Sequence, residues 1–376
     1  MVIGDSMAKR KIKRRKTSKE DKMARSVLKR RKKSQDEESR VEFLNSGCTT
    51  LNLALSGKGR KGGWARARVD NVVGDGSSGK TICALELAYW VFLRIKKIRS
   101  KIFAPVQKFY IVYNNCEGVM DFPLEKMYGE EFVNSVEWIC VKEIENMGKD
   151  FINRYRNLKK GEFLLYIIDS WDALYSIKDK QRFEESIAKN KPEEGSYNLE
   201  KQKYAGKFFS NICDDLENNK KDATLFIVSQ VRQKIGVTFG KKTYRAGGKA
   251  LDFYTHQVAW IREDEKLTKT KRGHKRVYGI RSEVKVERSK VAKPFRESQF
   301  TILYDYGIDD INSMADFLYG KGTIHFNGEK FPRREKFVTY IEKNNYEKKL
   351  QKMVEKEWSE IEKAFEEDVT KRKKRK

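Results

Sequence analysis

Gly74-Asp75-Gly76-Ser77-Ser78-Gly79-Lys80-Thr81 is a phosphate-loop pattern: two glycines with four residues between them, then Lys and a hydroxyl residue. Each residue type has a physical task in such a loop. Glycines let the backbone turn tightly and approach an anion, so that successive N–H groups point inward. Lys80 is placed to reach β- and γ-phosphates, Thr81 offers a hydroxyl to Mg²⁺, and the helix that Thr81 opens adds its positive end. All eight residues are expected to line the phosphates. The bland alternative is an ordinary glycine turn, and the flanks argue against it. Val69 to Val73 read as a short strand, and Ile82, Leu85, Tyr89 and Phe92 recur at helical spacing.

Outward from the loop, apolar runs alternate with helical patterns. Lys108 to Tyr113, Val136 to Val141, Phe163 to Ile168 and Thr224 to Val228 read as strands, with a helix over Lys149 to Leu158. Such alternation predicts an α/β fold with a mostly parallel central sheet, whose ligand crevice lies at the carboxyl ends of the strands. Gly74, Glu117, Asp169 and Gln230 all fall at such ends. Val258 to Arg262 and Tyr278 to Val286 read as further strands separated by a Lys/Arg-rich turn around Lys269 to Arg276. Beyond Gly307 the pattern predicts a small mixed segment and a charged helix pair from Arg333 to Glu367. Phe337, Tyr340 and Ile341 mark the apolar stripe of the first helix, and Leu350, Met353, Val354, Trp358 and Ile361 that of the second.

Composition narrows the partner. The chain has 376 residues and a formal net charge of +27, which points to a polyanion. Residues 1–40 hold 16 Lys and Arg against 6 Asp and Glu, and residues 371–376 are all basic. Ser18 to Lys33 reads as a basic helix with a narrow apolar stripe at Met23, Val27 and Leu28, suited either to a neighbouring subunit or to solvent. The five cysteines are widely spaced with no CxxC pair, and there are three histidines, which argues against a zinc site or disulfide framework and for a reducing, cytoplasmic setting. No run of 18 apolar residues predicts a membrane span.

Three further features carry chemistry. Asp169 closes an apolar strand, as expected of a carboxylate that orients the water shell of Mg²⁺. Glu117, at the neighbouring strand end, is positioned to polarise a water. The segment Gln230 to Lys249 combines glycines and cations with Ile235 and Phe239, which suits a DNA strand: cations hold phosphates while apolar tips pack on bases. Arg232, Lys234, Ile235, Phe239, Lys242, Arg245, Gly247, Gly248 and Lys249 are its expected contact residues. An exposed surface loop is the alternative, and apolar tips argue against it.

The segment from Gln230 through Tyr254 is similar, without a gap, to the second DNA-binding loop of RecA-type recombinases. The similarity extends over residues 41–310, through Asn45 to Leu51, the phosphate loop, Glu117-Gly118-Val119-Met120-Asp121, Ile168-Asp169-Ser170 and Val284 to Phe295. The resemblance implies an ATP- and Mg²⁺-dependent filament on single-stranded DNA that pairs it with double-stranded DNA. It implies that Glu117 is the catalytic base, Gln230 the γ-phosphate sensor, Asp121 and Tyr304 adenine contacts, and Arg288 and Lys290 cations reaching the ATP of the adjacent subunit. It places an ATPase core at 41–308, a basic arm at 1–40, a small C-terminal α/β domain at 309–370 and a basic tail at 371–376. A single-strand-binding protein and a loading mediator are further implied partners. Gly76 stands where bacterial members carry an acidic residue, the insert around Gln181 to Tyr197 is longer, and the tail is basic. These departures resemble a bacteriophage-encoded relative. A RecA-fold helicase shares the phosphate loop but has no use for the Gln230 to Tyr254 block. A non-catalytic single-strand-binding mediator has no use for Lys80, Thr81, Glu117 and Asp169 together.

Overall fold

The computed structural model describes residues 41–118, 120, 122–190, 199–233, 243–245, 248–320 and 322–367. The basic arm and its helix, Asp121, Lys234, Ile235, Phe239, Lys242, Gly247 and the tail 371–376 lie outside the described residues, as do the side chains of Arg232 and Lys249. The described residues from Val41 onward form one compact unit.

Strand β1 (Phe43–Leu44) pairs antiparallel with β2 (Trp64–Ala65) around helix α1 (Thr49–Ser56). β3 (Val69–Gly74) runs through the glycine-rich loop into α2 (Lys80–Arg94). Next come β4 (Lys108–Asn115), α3 (Leu124–Tyr128), α4 (Glu130–Ser135), β5 (Val136–Ile139), α5 (Ile144–Asn157) and β6 (Glu162–Asp169). α6 (Ile177–Ala188) and α7 (Leu199–Glu217) precede β7 (Ala223–Gln233), which is followed by β8 (Thr243–Arg245) and α8 (Gly248–Tyr254). β9 (Gln257–Lys271), β10 (His274–Ser289), β11 (Glu297–Leu303) and β12 (Gly307–Asp309) complete the main sheet. α9 (Asp310–Tyr319), β13 (Ile324–Phe326), β14 (Glu329–Phe331), α10 (Arg334–Lys343) and α11 (Glu347–Glu367) close the described chain.

The sheet order is β12-β11-β10-β9-β3-β7-β6-β4-β5. From β9 to β5 neighbours are parallel, and β10 to β12 add an antiparallel wing. Strand residues alternate in direction, so a strand covered on both sides must be apolar at every position. In β6, Phe163, Leu165 and Ile167 join the cluster under α2, while Leu164, Tyr166 and Ile168 join the one under α5 and α7. A third cluster gathers Met314, Leu318, Phe337, Ile341, Leu350, Val354 and Trp358 with Leu53 of α1, built by the stripes the helical spacing predicts.

Two expectations change. The strands around the basic turn extend far beyond Val258–Arg262 and Tyr278–Val286, leaving only Arg272 and Gly273 as the turn, at φ 50° and 79°. Positive φ at both turn residues matches the twist of a two-residue hairpin, so the ladder continues to its tip without needing a buried face. Part of the insert after Asp169 is helix α6, begun by Ser176, whose side chain accepts from the Asp179 N–H at 3.0 Å. Among the described residues no helix is long and apolar enough to cross a membrane.

Candidate nucleotide site and nucleic-acid loop

Strand register assembles the site. β3 pairs with β7 so that Gly74 lies beside Gln230, and β4 pairs with β6 so that Asn115 lies beside Asp169. Four chain-distant strand ends therefore open on one crevice. At its centre Gly79 takes φ 93°, and a Cβ there would lie 2.2 Å from Ile302 Cδ1, so only glycine fits. Gly74 is closed in the same way: a Cβ would lie 2.4 Å from the Ile261 carbonyl. Gly76 meets nothing within 4 Å, which leaves open space where the resemblance expects an acidic side chain.

Lys80 is buried, and its Nζ donates to the Asp75 carbonyl at 2.5 Å. Burial pushes its pKa down, opposed by the negative charges of Asp169, Glu117, Asp75 and Asp172. Asp169 is buried too. Burial pushes its carboxyl up, against hydrogen bonds from the Tyr113 hydroxyl at 2.7 Å and from Thr81. A carboxylate screened from water beside a hydroxyl is an all-oxygen donor pair that suits Mg²⁺. Among the described residues no three His, Cys, Asp or Glu side chains cluster as a metal site, so Mg²⁺ here would draw its other ligands from phosphate and water.

Glu117 stands exposed at the crevice, accepting from Ser170 Oγ at 2.7 Å and from Gln230 Nε2 at 2.9 Å on the same oxygen. The Gln230 N–H donates to Asp172 at 2.7 Å. Beside the loop lies a cavity of about 550 Å³, walled by Ser77, Gly79, Thr81, Phe122, Met127, Ile302 and Tyr304. The structure thus brings Lys80, Thr81, Glu117, Asp169 and Gln230 together, with Tyr304 on the adjoining wall.

Arg288 and Lys290 are not part of that crevice. Arg288 pairs with Val258, which is level with Asn71, three residues short of Gly74, or about 10 Å along the strand. Lys290 lies further back, its N–H donating to the His256 carbonyl and its Nζ 3.5 Å from Glu217. Strand alternation does not run unbroken from Val284 to Lys290: the register slips between Val286 and Arg288, and Val284 and Val286 are buried while Arg288 is partly exposed. A bulge of this kind re-aims the side chains that follow it.

The segment expected to bind nucleic acid begins within β7, which runs past Gln230 to Gln233. Its two ends, Val231–Gln233 and Thr243–Arg245, pair antiparallel, and α8 begins at Gly248. Arg245 departs from its expected role as a DNA contact. It is buried, donating to the Asn71 side chain of β3 and pairing with Asp252. Pairing of β8 with β7 turns this side chain inward, where Asn71 also donates to the Ile227 carbonyl and to Ser229.

Sequence reasoning missed Tyr113, Ser170 and Asp172, and the cavity walls Phe122 and Met127. Asp172 follows the strand-end aspartate by three residues, which is a usable signal. Tyr113 reads as one more apolar position in its strand.

Comparison with known proteins agrees with this geometry. Residues 196–309 match the RecA N-terminal domain. Protein RecA of Arthrospira platensis is 28% identical over 323 residues, covering 81% of this chain and 76% of that protein. Protein RecA of Gloeothece citriformis is 29% identical over 315 residues, covering 81% and 78%, and that of Synechocystis sp. 29% over 318 residues, covering 82% and 79%. The domain match, together with relatives aligned over about four fifths of this chain, makes the chain similar to RecA-type recombinases.

Proposed function

We propose that this chain is a DNA-dependent ATPase that forms a filament on single-stranded DNA and catalyses homologous pairing and strand exchange. The observation that carries the reading is Gln230, whose amide donates to Glu117 while its strand runs on without a break into the basic loop. One residue therefore touches both the hydrolytic crevice and the root of the nucleic-acid loop.

In this reading the loop 74–81 holds the phosphates of ATP, and Thr81 and Asp169 hold Mg²⁺, which when bound offsets phosphate charge. Glu117 takes the proton of the attacking water, with Ser170 and Gln230 fixing its carboxylate. Loss of the Gln230 contact when its amide turns to a γ-phosphate would tell the loop which nucleotide is present. Tyr304 and Asp121 receive the adenine. Residues 41–308 form the ATPase core, 309–370 a small C-terminal domain and 371–376 a basic tail, while residues 1–40 dock on the next protomer. Single-stranded and double-stranded DNA are the polynucleotide partners, a single-strand-binding protein and a loading mediator the protein ones, and the cytoplasm the setting.

Arg288 and Lys290, set back from their own crevice, act on the ATP of a neighbouring protomer, as an arginine finger does. The test is complementation. A variant with Arg288→Ala and Lys290→Ala, and a second with Glu117→Gln, are each expected to be inactive, while their mixture recovers DNA-stimulated turnover. A mixture that co-assembles on DNA yet stays inactive overturns the shared site. Three-strand pairing by the unaltered protein tests the recombinase reading itself, and turnover without pairing would favour a helicase-like motor.

A further inference from the structure

Glu217 sits at the wrong end of a helix. It is the last residue of α7, whose final turn also carries Asp214 and Asp215 and no base. The carbonyl end of a helix is partly negative, so carboxylates there raise its energy. What offsets them comes from other elements. Arg68 donates to the Leu216 carbonyl and, at 3.3 Å, to the Glu217 carbonyl, which satisfies two of the free helix-end acceptors. His256 Nδ1 accepts from the Val69 N–H at 3.2 Å, so the ring proton lies on Nε2 and is donated to Glu217 Oε1 at 3.0 Å. Burial pushes the imidazole pKa down and so favours this neutral form.

The same Oε1 lies 3.5 Å from Lys290 Nζ. The Lys290 N–H donates to the His256 carbonyl at 2.8 Å, and the Phe253 ring centre lies 6.0 Å from the ammonium. The hydrogen bond from His256, and after it the charge of Lys290, pull the Glu217 carboxyl down to about 2, so it is ionised at neutral pH. α7, the start of β9 and the segment after β10 thus meet on one carboxylate oxygen. Val69, bonded to His256 through both its N–H and its carbonyl, begins β3 five residues before Gly74. At about 3.3 Å per residue the group lies about 16 Å behind its own phosphate loop, farther than a lysine side chain spans. Arg288, by contrast, donates to the neutral carbonyl of Phe253 at 3.3 Å. An ammonium paired with a carboxylate of its own protomer cannot give its full charge to a phosphate elsewhere until that pair opens. Glu217 and Lys290 are 48% and 34% exposed, and a pair so open to water is weak enough to part.

We propose that Glu217 is a positioning residue for Lys290: it latches the ammonium to its own protomer before assembly and yields it to the phosphates of the neighbouring protomer's nucleotide when the two chains meet. The inference rests on the shared-site reading of Lys290 given above. His256 serves the latch by fixing the carboxylate through a neutral N–H, which leaves the charge for Lys290. The latch opposes assembly and leaves turnover in the finished filament unaffected, because there the pair is already open.

The test is ATP turnover by the full chain on a single-stranded oligonucleotide over a series of protein concentrations. Glu217→Gln keeps an acceptor for His256 Nε2–H and removes the charge that holds Lys290. The protein concentration for half-maximal turnover should fall about two- to fivefold, the scale for a partly exposed ion pair, while kcat at saturation stays at the wild-type value. Assembly is read separately, with ATP, from the fluorescence anisotropy of a labelled oligonucleotide. There Glu217→Gln should lower the threshold in the wild-type background and leave it unchanged in a Lys290→Gln background. A thermal midpoint near that of the wild type checks the fold of each variant. A shift that survives in the Lys290→Gln background overturns the latch, in favour of a general effect of charge on DNA binding. Loss of kcat in Glu217→Gln overturns it too and makes the carboxylate an aiming device within the assembled site. Lys290→Gln with wild-type turnover sinks the shared site and the latch with it. An inactive Lys290→Gln beside a Glu217→Gln of unshifted threshold sinks the latch alone.

Discussion

Glu86 offers a pH test of how the crevice is held together. It lies in α2, six residues after Lys80, and is buried. Its carboxylate accepts from the Ile308 N–H at 3.0 Å and the Tyr128 hydroxyl at 3.1 Å, tying α3 and β12 to the phosphate-loop helix. Burial pushes its pKa from 4.5 to about 7, with nearby Asp310 adding to the rise. The folded form therefore keeps a proton that the unfolded chain releases above pH 4.5. The associated stability is full below that pH and is lost as pH rises to about 7. The difference amounts to about 3 kcal/mol in all, and about 2.5 kcal/mol between pH 5 and pH 8. Glu86→Gln keeps an oxygen for both donors and cannot ionise. Urea unfolding at the two pH values should show the variant gaining about 2.5 kcal/mol relative to wild type on going from pH 5 to pH 8. Asp310, whose carboxyl is also raised, to about 6, titrates in both proteins, so its own burial largely cancels and only its coupling to Glu86 stays in the difference. Wild-type and variant stability curves that run parallel from pH 5 to pH 8 would refute the reasoning.

Two further outcomes follow from the site. Lys80→Ala should lower ATP turnover by about 10²- to 10³-fold, the scale for removing one transition-state donor, with an unchanged circular-dichroism spectrum; normal turnover would remove the site assignment. Arg245→Ala should destabilise the fold by about 1–3 kcal/mol in urea unfolding, because the buried Asn71 oxygen loses its donor. An unchanged midpoint with a shallower DNA salt slope would instead return Arg245 to the DNA surface.

The loop 74–81, the strand ends at Glu117, Asp169 and Gln230, and the layered α/β order were legible in the chain because each depends on local pattern. A glycine spacing, a run apolar at every position or a helical stripe reports its own backbone. Stripes at Phe337 to Ile341 and Leu350 to Ile361 predicted two helices for the same reason, and the third apolar cluster is built from them. Arg245 shows the limit. Lying among glycines and lysines, it reads as one more DNA contact, and only the pairing of β8 on β7 reveals that it ends against Asn71, 174 residues away. Tyr113, an apolar strand position in the sequence, becomes the hydrogen-bond donor of Asp169 only when β4 and β6 lie side by side. The basic turn around Lys269 to Arg276 was visible as charge, but its shape was not. Exposed polar residues carry no burial pattern to announce a strand. What the sequence by itself determined was the chemistry available at each strand end and the class of fold that gathers such ends. Tertiary structure alone decided which cations stand exposed, which are buried and which lie back from the phosphate-loop crevice, because those placements depend on pairing between residues far apart in the chain.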